Sequence, residues 1–193
     1  VIGRANLRAV RGTYAAGFRG YLGKVLAPTN VNPQQQRYVA VRWRRHQLSE
    51  LGEGVAFDVN SRGICVGATA PPGDESTFSL SSSFGANHSS ATYAFGTPKA
   101  VIWHRNGSAT MLEPYYRSVA YALDEDDRVV GMLHDADGKH YAFIWRHGVL
   151  RRLDDLVQAP RWRFESAYGF TSDGGILGIG THDGVATAFI VHL

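Results

Sequence analysis

The sequence predicts an all-β fold, a β-propeller-like array of about four four-stranded antiparallel blades that forms an open arc or a fragment of a larger propeller. Three observations predict it. Residues 56–67, 120–131 and 167–178 can be aligned without a gap, and a second strand-like pattern recurs four times further along the chain. The chain also contains 22 glycines, which is typical of a protein with many tight turns.

Each aligned segment reads as two strands joined by a turn. It begins with an alanine followed by an aromatic residue, has Asn, Asp or Thr four positions after the alanine, and closes with a glycine eleven positions after it. Short apolar runs with β-branched and aromatic residues are typical of buried strands. Asn, Asp and Thr start turns by bonding to the backbone, and the turn should end at a left-handed residue. The closing residues Gly67, Gly131 and Gly178 suit a bulge or a close backbone approach.

The second pattern predicts a third strand in each unit, starting at an alanine. In the first three units a tryptophan follows three positions later, and these residues are Trp43, Trp103 and Trp145. Aromatic side chains bury large areas, so we expect them to pack between neighbouring blades. The alternative is an exposed ring that stacks on a sugar. A turn and a fourth strand follow in the first three units.

We expect a single repeat domain over residues 1–193, with units at approximately 1–52, 53–114, 115–157 and 158–193. Residues 1–3 resemble the second strand of the first unit, whose first strand is missing, and we expect further repeats upstream of Val1. Inserted loops are expected at approximately 5–36 and 70–96, between the second and third strands of their units. The second insertion is rich in serine and uncharged from Ser76 to Pro98, which predicts a mobile loop.

At these repeat positions the chain resembles the HAF-repeat family, which is known from bacterial and archaeal proteins, many of them exported. Residues 56–67, 120–131 and 142–145 are the closest matches to the family pattern. The resemblance implies the repeat fold and an exported or cell-surface protein, extracellular or periplasmic, although the chain itself shows no signal peptide. The histidine that names the family is replaced by other residues, so it is not transferred as a functional residue. The four replacements are Val39, Lys99, Tyr141 and Thr187.

Composition excludes several classes of protein. Hydrophobic residues make up 44% of the chain and charged residues 19%, as in a globular protein. The single cysteine, Cys65, cannot form a disulfide within the chain and reads as a buried strand residue. No stretch approaches the roughly 18 apolar residues of a membrane span, so we expect none.

The charge is unevenly distributed. Residues 1–52 carry nine Lys and Arg against one Glu, and the rest carry eleven basic and sixteen acidic residues. In the densest basic cluster, Arg42 and Arg44 alternate along a strand with Trp43 and Arg45, so they do not form one patch. We therefore expect solvated charge and no nucleic-acid partner.

No motif predicts a catalytic centre, and the catalytic residues stay unknown. The chain has no G-x-S-x-G nucleophile elbow and no phosphate-binding loop. Residues 134–138 resemble part of a calcium loop but lack the downstream glutamate, so we expect a turn and predict no metal and no cofactor. An enzyme would need carboxylates that converge at the central channel, and Asp58, Asp124 and Asp173 are the residues to examine.

We expect a non-catalytic binding or interaction module, because long loops on a rigid scaffold commonly carry binding sites. Its partner would be an unknown protein or a glycan. Two alternatives stay open, a carbohydrate-active hydrolase or lyase on a propeller scaffold and a purely structural spacer repeat. The candidate binding residues are aromatics of the two insertions, Tyr14, Phe18, Tyr21, Phe78, Phe84 and Tyr93.

Overall fold

A computed structural model describes residues 5–22, 36–45, 47–69, 78–82, 89–93, 97–113 and 116–193. Within these residues the chain is all-β apart from one single-turn helix, which confirms the predicted class. The strands of this described part form four antiparallel sheets and one separate two-stranded hairpin. The four sheets span residues 5–53, 55–111, 117–152 and 162–191.

The first sheet contains four strands in chain order, and it differs from the expectation for this region. The strands are β1 (Ala5–Arg11), β2 (Tyr14–Leu22), β3 (Gln36–Arg44) and β4 (Gln47–Glu53). Half of the segment expected as an inserted loop over 5–36 therefore forms the first two strands of this sheet, and residues 23–35 fall outside the described residues. The β1–β2 turn is tight, with Gly12 at a positive φ of 58°. The distance along the chain between the paired residues of the first two strands is therefore shorter here than in the later units. The upstream repeats expected before Val1 fall outside the described residues.

The second sheet has the order β5-β6-β9-β10, because a hairpin is inserted between its second and third strands. That hairpin, β7 paired with β8, belongs to the segment expected as a mobile loop over 70–96. The remainder of that segment lies outside the described residues. The strands are β5 (Val55–Val59), β6 (Cys65–Thr69), β7 (Phe78–Ser82), β8 (Ser89–Tyr93), β9 (Lys99–Trp103) and β10 (Ala109–Met111).

The third and fourth sheets follow in chain order without an inserted strand. The third contains four strands, β11 (Arg117–Leu123), β12 (Val129–His134), β13 (His140–Arg146) and β14 (Val149–Arg152). Helix α1 (Leu153–Leu156) links it to the fourth sheet. The fourth contains three strands, β15 (Trp162–Phe170), β16 (Ile176–His182) and β17 (Val185–Val191).

The sheets stack in chain order. The first strand of the second sheet contacts β1, β2 and β3, and β11 and β15 each contact three strands of the sheet before them. Each junction contains buried apolar side chains from both of its sheets, so each sheet covers a face of its neighbour. A polar contact adds to the first junction, where the Arg42 guanidinium donates to the carbonyl oxygens of Gly63 at 2.8 Å and His104 at 3.2 Å. Arg42 is half-buried and joins the first two sheets, so it is more than the solvated charge expected from the sequence.

The three repeated tryptophans have different environments. Trp103 is buried in the cluster between the first and second sheets, whereas Trp145 is half-buried against the cluster between the second and third. Trp43 is half-buried on β3.

None of the helical segments in the described ranges has the length and apolar character needed to cross a membrane.

The turns between first and second strands form as expected. In the third sheet, Asp124 Oδ1 accepts the amides of Asp126 and Arg128, and Asp127 has a positive φ of 61°. Asn60 Oδ1 accepts two amides in the same way in the second sheet, where Gly63 has the positive φ. The side chain that starts each turn thus satisfies its backbone locally, and this explains why those positions are Asn, Asp or Thr.

Candidate functional site

A β-bulge occurs at the same repeat position in the first strand of all four sheets. The pairing skips one residue directly after Leu7, Ala56, Ala120 and Ala167. A bulge leaves the extra residue unpaired and redirects its side chain. The four residues that the strand register skips are Arg8, Phe57, Tyr121 and Tyr168.

These four bulged residues line one cleft. It has a volume of about 620 Å³ and is lined by residues 8–11, 57–58, 121–125 and 168–172. Every lining residue belongs to a first strand or to the turn that follows it. We call this space the first-strand cleft, and its position shows that the four first strands of the stack face a shared space.

Three aromatic rings stand side by side in the cleft. The ring centroids of Phe57 and Tyr121 are 5.9 Å apart, and those of Tyr121 and Tyr168 are 5.0 Å apart. Such offset and tilted arrangements are favourable for aromatic pairs. Burial, and then the neighbouring Tyr168, raise the pKa of the Tyr121 hydroxyl, so it stays a neutral hydrogen-bonding group at physiological pH. In the first sheet the bulge carries Arg8, whose guanidinium lies 5.4 Å from the centroid of the Phe18 ring.

The repeated glycines make the bulges sterically allowed. Gly67, Gly131 and Gly178 pair with the alanine immediately before each bulged residue. A Cβ atom on any of the three would collide with the carbonyl oxygen of the residue preceding that alanine. The glycine of the sequence pattern is thus the partner of the bulge, which agrees with the expectation of a bulge or close approach.

Asp58 is the carboxylate at the inner wall of the cleft. Its side chain is buried, and its Oδ1 accepts the amide of Val59 at 2.8 Å while its Oδ2 accepts the amide of Leu123 at 3.1 Å. Burial raises the pKa of Asp58, and the hydrogen bonds from Leu123 and Val59 oppose that rise. The matching positions in the other sheets are Ala9, Ala122 and Gly169, so this carboxylate is specific to the second sheet.

The acidic residues at the cleft mouth are engaged in contacts between turns. Asp124 forms an ion pair with Arg128, and Glu125 accepts the amide and hydroxyl of Ser61 from the second sheet. Arg62 from the same turn donates to the carbonyl oxygen of Glu125 and to Asp127. Glu125 and Asp127 thus join the second and third sheets, whereas the Asp124 carboxylate is bound within its own turn, so this segment is more than the solvated turn expected from the sequence.

The other two sequence candidates for chemistry are turn residues. Asp173 is exposed on the fourth sheet, where a hydrogen bond from the Thr171 hydroxyl lowers its pKa. Asp135 Oδ1 accepts the amides of Asp137 and Lys139, so residues 134–138 form a turn of the kind expected. Among the described residues, no group of three or more His, Cys, Asp or Glu side chains could hold a metal ion.

The structure brings two of the predicted loop aromatics together, because Phe78 and Tyr93 are pairing partners in the β7–β8 hairpin. Tyr14 and Phe18 are strand residues with buried side chains, in the interface between the first two sheets and in a cluster that includes Val55. Tyr21, Phe78 and Tyr93 lie on strands. Their side chains, and the whole of Phe84, fall outside the part of the chain that the structure describes. Their role as a binding surface stays a prediction.

The chain leaves the second sheet for the inserted segment at the end of β6 that is opposite the first-strand cleft. The chain leaves β6 at Thr69, which follows Ala68, the pairing partner of Val55 at the start of β5. The cleft instead extends from the bulges to the turns at the far end of the first strands. Sequence reasoning missed the cleft, although the aromatic after each repeat alanine was the signal that could have located it.

The chain matches no family model, no curated protein and no solved structure. Its fold and site define it as a repeat protein of stacked antiparallel sheets whose bulged first strands share an aromatic cleft.

Proposed function

We propose that this protein is a non-catalytic binding module that holds its ligand in the first-strand cleft. The observation that carries the proposal is the convergence of four bulges on one space, which brings three aromatic rings and Arg8 together. Ligand sites are concave, largely apolar and aromatic, with a few fixed polar groups, and Asp58 and the turn hydroxyls are the polar groups here. A purely structural spacer repeat does not require a concave surface lined by aromatic side chains.

The arrangement that we propose for the sheets is a propeller-like open arc of four blades around the cleft. Three features support it: the sheets stack in chain order, each first strand contacts the preceding sheet, and all four first strands border one space. In a propeller the innermost strand of each blade lines the central channel in the same way. The resemblance to HAF repeats leads us to propose an exported or cell-surface location as well.

The ligand class that best fits the cleft is a glycan. A sugar ring has an apolar face that can stack on the rings of Phe57, Tyr121 and Tyr168, and it has hydroxyls that can donate to carboxylates at the wall and mouth. Asp58 already accepts two amides, so it would act as a rigid acceptor held by the backbone.

The test is a glycan array followed by calorimetric titration of the best oligosaccharide. Tyr168→Ala should weaken binding at least tenfold, because it removes one ring of the row, whereas the exposed Tyr116, outside the cleft, should tolerate Tyr116→Ala without effect. Thermal unfolding of both variants checks that each one is folded.

Deleting residues 70–96 separates the cleft from the inserted segment. Binding that survives the deletion and is lost in Tyr168→Ala supports the cleft. The reverse result would instead place the site on the insertion aromatics Phe78, Phe84 and Tyr93. No binding to any glycan would contradict the proposed ligand class, and the spacer hypothesis would then be the simpler account.

A carbohydrate-active hydrolase or lyase is the second candidate, favoured by the raised pKa of the buried Asp58 in the cleft. Glycosidic bond cleavage normally needs a second carboxylate. Asp124 and Glu125 also line the cleft, but Asp124 forms an ion pair with Arg128, so Glu125 is the candidate for the second carboxylate. Incubation of the bound oligosaccharide with the protein, analysed by mass spectrometry, tests this candidate. Cleavage abolished by Asp58→Asn in a folded protein would replace the binding proposal with an enzyme.

A further inference from the structure

Apolar positions on the first strand are buried in the second, third and fourth sheets and exposed in the first sheet. Leu7 is 57% exposed, yet the matching residues Ala56, Ala120 and Ala167 are fully buried. Val10 is also exposed, whereas Val59, which holds the same position in the second sheet, is buried. In the second, third and fourth sheets these positions belong to the apolar clusters shared with the preceding sheet. The first sheet therefore presents a face that is covered elsewhere in the stack.

The fourth sheet presents the complementary face. Ile190 is 61% exposed, whereas Ile102 and Ile144, at the same position on the third strands of the second and third sheets, are 3% and 6% exposed. Ile102 and Ile144 belong to the clusters shared with the following sheet. The face that carries Ile190 is therefore the half of the junction that receives a first strand.

The internal junctions show that these two faces fit each other. Ile102 packs in one cluster with Ala120, and Ile144 packs in one cluster with Ala167. Both of these junctions thus join the isoleucine position of one sheet to the alanine position on the next first strand, whereas Arg42 holds that position at the first junction. Ile190 and Leu7 hold these two positions at the ends of the stack, so joining them continues an interface that the chain already uses.

Charge also matches at the two ends. The turns after the first strands contact one another across the junction of the second and third sheets, where Arg62 donates to Asp127. At the ends of the stack, the exposed Arg11 closes the first strand of the first sheet and the exposed Asp173 lies in the turn of the fourth, so the signs are reversed relative to the internal pair. Opposite charges would therefore meet where the internal turns already form an ion pair.

We propose that a second copy of this chain docks head to tail, with the Ile190 face of one copy against the Leu7 and Val10 face of its partner. The two faces are different surfaces, so the contact is heterologous. Such a contact closes into a ring of copies when its rotation permits and otherwise builds an open chain. The exposed apolar ends of the stack are the surface that this association removes from water.

The mass of the full-length chain across a concentration series, measured by light scattering after size exclusion and by native mass spectrometry, tests the proposal. We expect a mass of two or more copies that falls on dilution. Leu7→Glu and Ile190→Glu should each shift the protein toward the monomer, because each one places a carboxylate in the junction. Val149→Glu is the matched control, since Val149 is similarly exposed but lies on β14 of the third sheet, away from both ends.

Mixing the two variants distinguishes head-to-tail docking from a symmetric contact. Leu7→Glu keeps an intact Ile190 face, and Ile190→Glu keeps an intact Leu7 face, so an equimolar mixture regenerates one junction and should form heterodimers. The double variant should stay monomeric. A wild-type protein that is monomeric at all concentrations, an association insensitive to both substitutions, or a mixture that forms no heterodimer would each overturn the proposal.

Discussion

The carboxylate of Asp58 accepts the backbone amide of Leu123 at 3.1 Å, and this bond joins the first strands of two neighbouring sheets. The same carboxylate accepts the amide of Val59 in its own strand at 2.8 Å. A buried carboxylate that accepts two amides is well satisfied, yet it still loses the solvation of its charge. Asp58 therefore has both a structural and an electrostatic effect at the cleft.

Stability should depend on pH through Asp58. Burial raises the pKa of this carboxyl above its unfolded value, so the folded state binds the proton more tightly. That contribution is fully present below the unfolded pKa and is lost as the pH rises through the raised folded pKa. Asp58→Asn removes this contribution. The free energy of unfolding of the variant minus that of wild type should therefore increase as the pH rises through this window, because the wild type alone loses stability there.

Urea denaturation at a series of pH values from below the ordinary aspartate pKa to neutrality measures this difference. Asp173→Asn is the control of opposite sign, because the hydrogen bond from Thr171 lowers the pKa of Asp173. Stability from Asp173 is present above the unfolded pKa and lost as the pH falls through the folded one. Equal slopes for the two variants would contradict the assignment.

The bulge glycines should not tolerate a methyl group. In Gly131→Ala the new Cβ would collide with the carbonyl oxygen of Val119 and lie 2.9 Å from the ring of Phe143. Forcing extra volume into a packed site costs about 1–3 kcal/mol, and we expect the free energy of unfolding to fall by about that amount. Gly169→Ala is the control, because its nearest neighbour would be the Leu177 side chain at 3.7 Å. Comparable losses for both variants in denaturant unfolding would show that the bulge is not the cause.

Asn60 should not tolerate a negative charge. The Asn60 amide nitrogen donates to Asp127 Oδ1 at 2.9 Å, while its oxygen accepts two turn amides. Asn60→Asp keeps the acceptor but places a buried carboxylate against Asp127, so we expect a loss of about 1–3 kcal/mol at neutral pH. The loss should shrink in acid, where the carboxylates are protonated.

The matched control for that substitution is Asn106→Asp. Asn106 is exposed, and its oxygen accepts the amide of Ser108 in another turn, so a carboxylate there stays solvated. Thermal or urea unfolding of both variants at neutral and acidic pH measures the effect. If Asn60→Asp lost no more stability than the control, the contact between the turns of the second and third sheets would have little energetic importance.

The Cys65 thiol should be inert in the folded protein. Its side chain is fully buried, and burial raises its pKa to about 12, so almost no thiolate is present at neutral pH. A disulfide reagent such as DTNB should label it only after denaturation, and the labelling rate in mild denaturant should report opening of the first two sheets. Ala136→Cys, in an exposed turn, supplies a second thiol that should react at once. Fast labelling of native wild-type protein would contradict the buried position.

Some features could be read directly from the sequence because they depend on neighbouring residues. The turns at Asn60, Asp124 and Thr171 formed where predicted, since each starting side chain forms hydrogen bonds with residues two and four positions ahead and needs no distant partner. The left-handed turn ends at Gly63, Asp127 and Gly174 follow from the same local chemistry. The all-β class follows from the short apolar strands between those turns.

The first sheet was hidden because it departs from the repeat pattern in three places. Leu7 replaces the alanine, Arg8 replaces the aromatic residue, and the tight turn at Gly12 shortens the spacing by one residue. Gly17 pairs with Val41, the same relation that Gly67 has to Val101, and this pairing identifies β1 and β2 as ordinary first and second strands. Only strand pairing between residues far apart in sequence restores the register.

The sequence by itself thus determined the strand class, the turns and the glycines that a bulge requires, because each depends on the conformational preferences of a few adjacent residues. The tertiary structure decided that Arg8, Phe57, Tyr121 and Tyr168 meet in one cleft and that Asp58 is buried there. Those relationships depend on how separate sheets pack, and packing joins residues that lie more than forty positions apart. Burial and hydrogen bonding between sheets, which have no local signature, therefore created the candidate site.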